Sequence, residues 1–525
     1  MAFQSQSAAP VISKLEEYDL NITLSQQRIS QLFTTNERPQ DHELALIRPV
    51  AHKTTARLAC LEAEMSRLKD QLGQLEEEHC VLMACHTRNA TILSPTRRIP
   101  VEILSEIFSW SLPSFRLPSV RNAPWNLARV SRRWRAIALA QSSLWSRICL
   151  DFSLSKTYSL AMVQTQIERA CTLKIKFIGS HRSDSRPQVD MLQVLLRYSS
   201  IWEEICIVLT TALVIPMAAC RGRLPLLQRA WLQWDGPESQ ANIDSIDFLT
   251  VAPSLADITV RSHHHFMPTL FPVHHLLTRY AFHAPWKTHY ELLKSSPNLH
   301  EVRISRNFDQ GVPWPVPGEP IRLSHLRSIY VSHVESLDYL SAPVLEEIAI
   351  RSQRRVDTQS HLAPFVTRSS CVLRKLCMVG LPDVQSTEEI LNQYPSITEL
   401  AVRIMDAKKN LKTEHDVLLT FFPRFTISDS ARISPHISKL DFECHNVHVI
   451  PYTLYVDMLD SRWKAPDCAL TASELLLPNT TVDPDPESLA RMETLREGGM
   501  RVSFFSGRVA EERADRWVYV ASWVV

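Results

Sequence analysis

Ten times after residue 150 the chain repeats one short pattern, apolar-x-x-apolar-x-apolar, and a recurrence of that kind leaves few folds open. The clearest copies are Leu255-Ile258-Val260, Leu299-Val302-Ile304, Leu326-Ile329-Val331, Leu345-Ile348-Ile350, Leu373-Leu376-Met378, Ile397-Leu400-Val402 and Ile437-Leu440-Phe442. Weaker copies begin at Trp202, Leu227 and Leu277. Alternation of apolar and other residues is the period of a β-strand, with one set of side chains turned in and the other out. Several copies are introduced by Pro or Ser, as in PSLADITV, PNLHEVRI, PVLEEIAI and PSITELAV, so a turn leads into each strand. From Leu227 the anchors stand 28, 22, 22, 27, 19, 28, 24 and 40 residues apart, which leaves room for a helix or an extended loop between strands. The stretch from Leu489 through Leu495 to Val502, ending in FFSGRV, reads as a last helix and strand that cap the array.

A different pattern fills residues 99–148, IPVEILSEIFSWSLP and then WNLARVSRRWRAIALAQSSLWSRI. Ile103, Leu104, Ile107 and Phe108 share one helical face, and Pro100 suits a first turn. Pro113 and Pro118 interrupt it, after which Leu127, Val130, Trp134 and Ile137 form a second series, closed by Leu144 and Trp145. Two or three short helices of this size bury little surface alone, so they must present apolar groups to a partner or a neighbouring domain. The start Ile99-Pro100, the core Glu102-Ile103-Leu104, the pair Ile107-Phe108, the segment Val130-Ser131-x-x-Trp134 and the closing Leu144-Trp145 resemble the F-box. Ile99 for the usual Leu, and Val101 where Pro or an acidic residue is common, depart from its pattern. The resemblance implies three helices that bind the Skp adaptor and through it a cullin scaffold carrying a ubiquitin ligase. Ile99, Pro100, Ile103, Leu104, Ile107, Phe108, Leu127, Val130, Trp134, Leu144 and Trp145 then make the contact or support it. The alternative is an ordinary small helical hairpin.

Upstream, Leu58, Met65, Leu72 and His79 occupy one position of a heptad and Leu61, Leu68, Leu75 and Leu82 the other, which predicts a short coiled coil over about 58–82. The flanking Glu62, Glu64, Lys69, Glu76 and Glu78 are mostly acidic, so cross-helix pairing adds little. Two outcomes stay open: a helix lying back on the rest of the chain, and a homodimeric or heteromeric coil. Residues 1–40 are polar and predict a partly disordered start, and residues 87–98, TRNATILSPTRR, read as a short hinge. This order, with Leu93, Ser94, Pro95, Arg97 and Arg98 in the hinge, resembles a large group of F-box proteins from mushroom-forming fungi.

The repeat region resembles an irregular leucine-rich-repeat array. The Asn that usually follows each strand is present only at Asn307, with His263, Gln353, Leu381 and Met405 elsewhere; a generic mixed domain is the alternative. The expected architecture is therefore mixed α and β, a helical coiled coil and a three-helix F-box followed by an irregular leucine-rich-repeat-like α/β solenoid. Its divisions are 1–93, 94–150 and 151–525. On the outward phase stand an acidic column, Asp257, Glu301, Glu347 and Glu399, and a basic one, Arg261, Arg351 and Arg403, with Arg303 and Lys375 nearby. Charges two outward positions apart on one strand would neutralise each other on a solvated face. The sharper reading is a target-binding surface of Arg261, Arg303, Arg351, Lys375 and Arg403, with Trp231 and Tyr330 as aromatic anchors.

Composition removes other classes. A net charge of +1 gives no general attraction for nucleic acid or an anionic membrane. There is no run of eighteen apolar residues, and the opening MAFQSQSAAPV lacks a signal pattern, so the chain is read as intracellular, in cytoplasm or nucleus. Ten glycines supply neither GxGxxG nor a P-loop, and eleven cysteines form no CxxC pair. His263, His264 and His265, with His274 and His275, suggest zinc, but three consecutive residues cannot all face one ion. With neither GxSxG nor HExxH, no cofactor, metal or catalytic role is expected. The resulting expectation is a substrate-recognition subunit of a Skp/cullin ubiquitin ligase. The alternative is a scaffold that binds Skp, or a coiled-coil partner, without ligase output.

Overall fold

The computed structural model describes residues 24–112, 123–154, 157–235, 245–262, 265–272, 276–309, 311–353, 356–405, 411–428, 433–444, 450–479 and 484–519. They fall into two units, Met1–Pro100 and Val101–Val525.

In the first unit a helix Gln26–Thr35 ends at Asn36, which adopts the left-handed conformation (φ 56°). The partly disordered start expected over residues 1–40 therefore contains a helix, while residues 1–23 lie outside the described set. A second helix, Asp41–Leu93, runs for 53 residues, or about 80 Å at 1.5 Å per residue. A capping box starts it, with the Glu43 carboxylate accepting from the Gln40 amide at 2.8 Å and from Arg28 Nε at 2.8 Å. Those contacts, Arg28 foremost, hold the Glu43 carboxyl down at about 2. The hinge expected over 87–98 is mostly helix: the chain stays helical to Leu93 and breaks at Ser94, the residue before Pro95. A residue preceding proline is pushed out of the helical region, and Ser94 has ψ 126°.

The second unit opens with helices Val101–Trp110, Leu127–Val130 and Arg132–Ala140 and a tight turn, Ser142–Trp145. Strands follow: β1 Arg147–Asp151, β2 Leu173–Ile178, β3 Trp202–Leu209, β4 Arg229–Trp234, β5 Asp257–Arg261, β6 Arg279–Ala284, β7 Glu301–Arg306, β8 Ile321–Arg322, β9 Ser328–Val331, β10 Leu340–Ser341, β11 Glu347–Arg351, β12 Lys375–Gly380, β13 Glu399–Ile404, β14 Lys439–Cys444, β15 Ala472–Leu477 and β16 Arg501–Ser506. All but β8 and β10 join one sheet of fourteen strands in chain order. Every pairing in it is parallel.

All ten copies of the sequence pattern lie on strands of this sheet. Register aligns their apolar positions into two ladders. Ile258, Tyr280, Val302, Ile329, Ile348, Leu376, Leu400 and Leu440 form one; Val260, Phe282, Ile304, Val331, Ile350, Met378, Val402 and Phe442 form the other. Both are buried in a core that runs from Ile148 to Val502 on one face of the sheet. Parallel neighbours require a crossover, and most are helices on that face. Aspartates start several of them: Asp357, Asp383 and Asp485 accept from the amides of Gln359, Ser386 and Ser488 at 2.8–3.0 Å. At Gln353, one of the positions that lack the usual Asn, Nε2 donates to the Ser332 carbonyl at 3.1 Å. The expected last helix and strand are Pro486–Glu497 and β16.

One buried acid on the other face yields a pH prediction. Burial pushes the Asp441 carboxyl up to about 6, against the pull of Lys439 at 2.8 Å. A raised folded pKa means that the group's stabilising contribution is complete below the ordinary carboxyl pKa and is lost as pH rises through about 6. Asp441→Asn stays neutral and keeps an acceptor for the Glu474 amide. It should match the parent near pH 4 and exceed it by about 3 kcal/mol at pH 7, at about 1.4 kcal/mol per pKa unit. His289, lowered to about 4 by burial, acts oppositely in both proteins and cancels in the difference. Denaturant unfolding at the two pH values measures it; an equal difference at both contradicts the assignment.

Candidate functional site

The module at residues 101–145 is built around Leu104, Phe108, Leu127, Ile137, Leu144 and Trp145, all buried. Ser131 explains the Val-Ser-x-x-Trp spacing. Its extended backbone (φ −157°, ψ 167°) separates Leu127–Val130 from Arg132–Ala140, and its hydroxyl accepts from the Trp134 amide at 3.1 Å as an N-cap. Trp134, three residues on, is thereby placed with its ring 4.8 Å from that of Phe108. Trp145 is sealed: its Nε1 donates to the Ala138 carbonyl at 2.7 Å, and Arg169 stacks over its ring at 4.4 Å. Gln166 donates to the Arg147 carbonyl at 2.7 Å and to that of Trp145 at 3.3 Å, tying the module to β1.

The other apolar side chains of the module face outward. On Val101–Trp110, Ile103, Ile107 and Trp110 stand at i, i+4 and i+7 and are 52%, 45% and 86% exposed. Val101, Val130 and Leu139 are exposed too, and Arg129, Arg132 and Arg133 give their surroundings a positive charge. Ile99 is half-buried and Pro100 exposed. The eleven residues singled out from the sequence thus divide into a core (Leu104, Phe108, Leu127, Leu144, Trp145), a half-buried Trp134, and outward groups (Ile103, Ile107, Val130) besides Ile99 and Pro100. Trp110 was missed, although the i+7 step from Ile103 marks it.

The strand face opposite the main core holds the second candidate surface. Register aligns Arg351 with Arg403 through Val379, on a ladder that ends at Glu443, but the acidic residues do not form a column of one sign. In register, Asp257, Arg279, Glu301, Ser328, Glu347, Lys375, Glu399 and Lys439 make one ladder in which signs alternate. Pairing runs both between strands and along them: Arg279 bridges Asp257, at 3.2 Å, and Glu301, Lys375 lies 3.7 Å from Glu347, and Lys439 lies 2.8 Å from Asp441 on its own strand. The sequence reading paired charges along a strand only and missed the cross-strand pairs because register sets which strands' residues are opposite.

The same face is covered by a helix that the sequence reading did not foresee, Gly507–Trp517. Gly507 (φ +62°) turns the chain from β16 straight into it. Ala510, Ala514, Trp517, Val518 and Tyr519 pack on Tyr330, Ala349, Cys377, Val379, Ala401 and Leu476 in an apolar cluster separate from the main core. Arg403 donates to the Ala514 carbonyl at 3.2 Å and pairs with Asp515 at 3.0 Å; Arg303 donates to the Val518 carbonyl and Arg279 to that of Tyr519. Of the seven candidate target-binding residues, Tyr330 and Arg403 are buried and Arg303 is covered by the carbonyl it binds and by stacking on Tyr330 at 3.8 Å. Trp231, Arg261 and Lys375 are half-buried and Arg351 is exposed.

This face, the one under Gly507–Trp517, is the inner strand face. Arg261 on β5 and Arg403 on β13 are six strand steps apart, about 29 Å on a flat sheet. Yet each is within electrostatic reach of the other and of Asp515. Burial foremost, with the neighbouring Arg261 and Arg403 adding to it against the pull of Tyr330 and Asp515, lowers the Arg303 guanidinium to about 10.

Among the described residues no group of three or more His, Cys, Asp or Glu is placed to hold a metal, and no helix is long and apolar enough to cross a membrane. His265 is exposed; His263, His264, His274 and His275 lie outside the described residues.

A family model described as F-box-like matches residues 96–151, the same module. This supports an F-box protein, and an F-box-like domain implies a role in protein interaction, typically through Skp and thereby a cullin. No curated protein matches the chain. Among solved structures, a crystal structure of a Bacteroides fragilis protein is 10% identical, with 65% of this chain and 66% of that chain covered. Its TM-score is 0.19, too low to inform the fold.

Proposed function

We propose that the chain is a non-catalytic substrate receptor: its F-box holds it on the Skp adaptor and cullin assembly, and its strand region, an irregular leucine-rich-repeat-like solenoid, holds a protein target. The observation that carries this reading is the exposed stripe Ile103, Ile107 and Trp110 on a module matched as F-box-like. Those residues are outward while their neighbours Leu104 and Phe108 fill the core, so the stripe is surplus to folding. Ile99, Pro100 and Val130 extend the contact. The target side is the inner strand face with Trp231, Arg261, Arg303, Tyr330, Arg351, Lys375 and Arg403. Holding a target there raises its local concentration near a ligase supplied by other subunits, with no chemistry required of this chain. Such a protein works inside the cell. Co-purification with the Skp adaptor tests the reading, with Ile103→Ala/Ile107→Ala as the control that loses it.

The scaffold alternative draws on the long helix. Leu58, Leu61, Met65, Leu68, Leu72, Leu75 and Leu82 are all exposed, a stripe suited to a partner helix. Self-association through it predicts a dimer mass for the full chain by light scattering and a monomer mass for Leu68→Glu/Leu75→Glu. A monomer for both contradicts self-association. Skp binding without cullin would favour the scaffold.

A further inference from the structure

The resident helix shows what its face recognises. The arginines of the inner face address it through backbone carbonyls at and just past its C-terminal end. The last carbonyls of a helix lack intrahelical donors and carry the negative end of its dipole. Arg403, from β13, donates to the Ala514 carbonyl in the last turn of the helix, and Arg303 and Arg279, from β7 and β6, donate to the carbonyls of Val518 and Tyr519, the two residues that follow it. Side chains add to this: Asp515 is in reach of Arg403 and Arg261, Arg513 pairs with Glu474 at 2.8 Å, and the Tyr519 hydroxyl donates to Glu347 at 3.3 Å. The cluster beneath the helix is rich in small residues, Ala510 and Ala514 from the helix and Ala349, Cys377 and Ala401 from the sheet, so a backbone can lie close to the sheet.

The helix is also separable. It hangs from β16 by Gly507, pairs with no strand, and belongs to a cluster distinct from the main core, so its departure leaves the strand ladders and that core in place.

We propose that the inner strand face is a receptor for the C-terminal end of an amphipathic helix with small residues at i and i+4 and a carboxylate next to the second. Gly507–Tyr519 is then its built-in competitor, displaced by a target helix of the same chemistry. This rests on the reading of the chain as a target receptor and names the class of target. It also accounts for the arginines that meet the helix: Arg403 pairs with Asp515 at 3.0 Å, and Arg261 and Arg303 stand within its electrostatic reach.

The test uses the full chain and a fluorescent peptide of residues 506–519. In the Ala510→Arg/Ala514→Arg variant the resident helix cannot seat, and the face should bind the peptide. The parent, if its helix is seated 99% of the time, should bind about 100-fold more weakly. A peptide carrying Ala514→Arg should not bind. No binding by a folded variant, or equal binding by variant and parent, overturns the proposal. Hydrogen exchange on the parent decides the matter if the variant does not fold. Amides of 510–518 should exchange about 100-fold faster than those of β11–β13, as a locally opening element does. Exchange only together with those strands overturns the proposal. Skp binding by the same variant reports on the F-box separately, so a failed peptide experiment with retained Skp binding leaves the receptor frame standing.

Discussion

Changing Ile103 and Ile107 together to Ala leaves the chain folded and weakens its binding to the Skp adaptor by a factor of about 100 to 1,000. Both side chains are half exposed on a helix, and Ala is the better helix former, so stability should stay within about 0.5 kcal/mol. Buried at an interface, each would be an anchor of about 2 kcal/mol, and the two together give the stated loss. Phe108→Ala is the instructive contrast. Phe108 is fully buried against Trp134, so its truncation should cost about 3–5 kcal/mol and lose adaptor binding because the module unfolds. Calorimetry of adaptor binding beside a melting curve separates the two. A loss below about tenfold for the double change would place the adaptor contact elsewhere.

The second large effect is expected at Arg403. Its guanidinium Nε lies 2.6 Å from Glu443, both side chains are buried, and the same group holds Asp515 and the Ala514 carbonyl. Burial works against its charge, but Glu443 and Asp515 outweigh it and hold its pKa above the ordinary arginine value. Arg403→Leu removes the cation beside a buried carboxylate and should cost about 3–5 kcal/mol. Arg403→Leu/Glu443→Leu should recover most of that loss, because the isolated charge goes with its partner. Denaturant unfolding of the four proteins closes the cycle; a double variant as unstable as the sum of the singles would show that the pair is not coupled.

The strands were legible because burial of one face imposes alternation, and each copy of the pattern could be found in isolation. Three strands of the same sheet were passed over: β1, β15 and β2, where the pattern begins on Ala170, too small to mark it. Trp145-Ile148-Leu150 fits the pattern at β1 but was absorbed by the F-box, and β15 breaks it with Ser473, a buried hydroxyl bonded to Tyr455 and to the Leu440 carbonyl. The F-box was legible as a set of residues, yet its division into Leu104 and Phe108 inside and Ile103 and Ile107 outside was not, since a helical face broad enough to include both pairs spans the boundary between core and surface. The covering helix was not legible at all. Its contacts link Asp515 to Arg403, 112 residues earlier, and Val518 to Arg303, 215 residues earlier, and its buried positions are largely alanines, which carry little hydrophobic pattern.

The most direct measurement of the central claim is reconstitution of the full chain with purified Skp adaptor and cullin, followed by size exclusion and mass determination. A complex containing all three, absent when Ile103 and Ile107 are changed to Ala, is the expected result. A folded parent chain that elutes apart from both would contradict it.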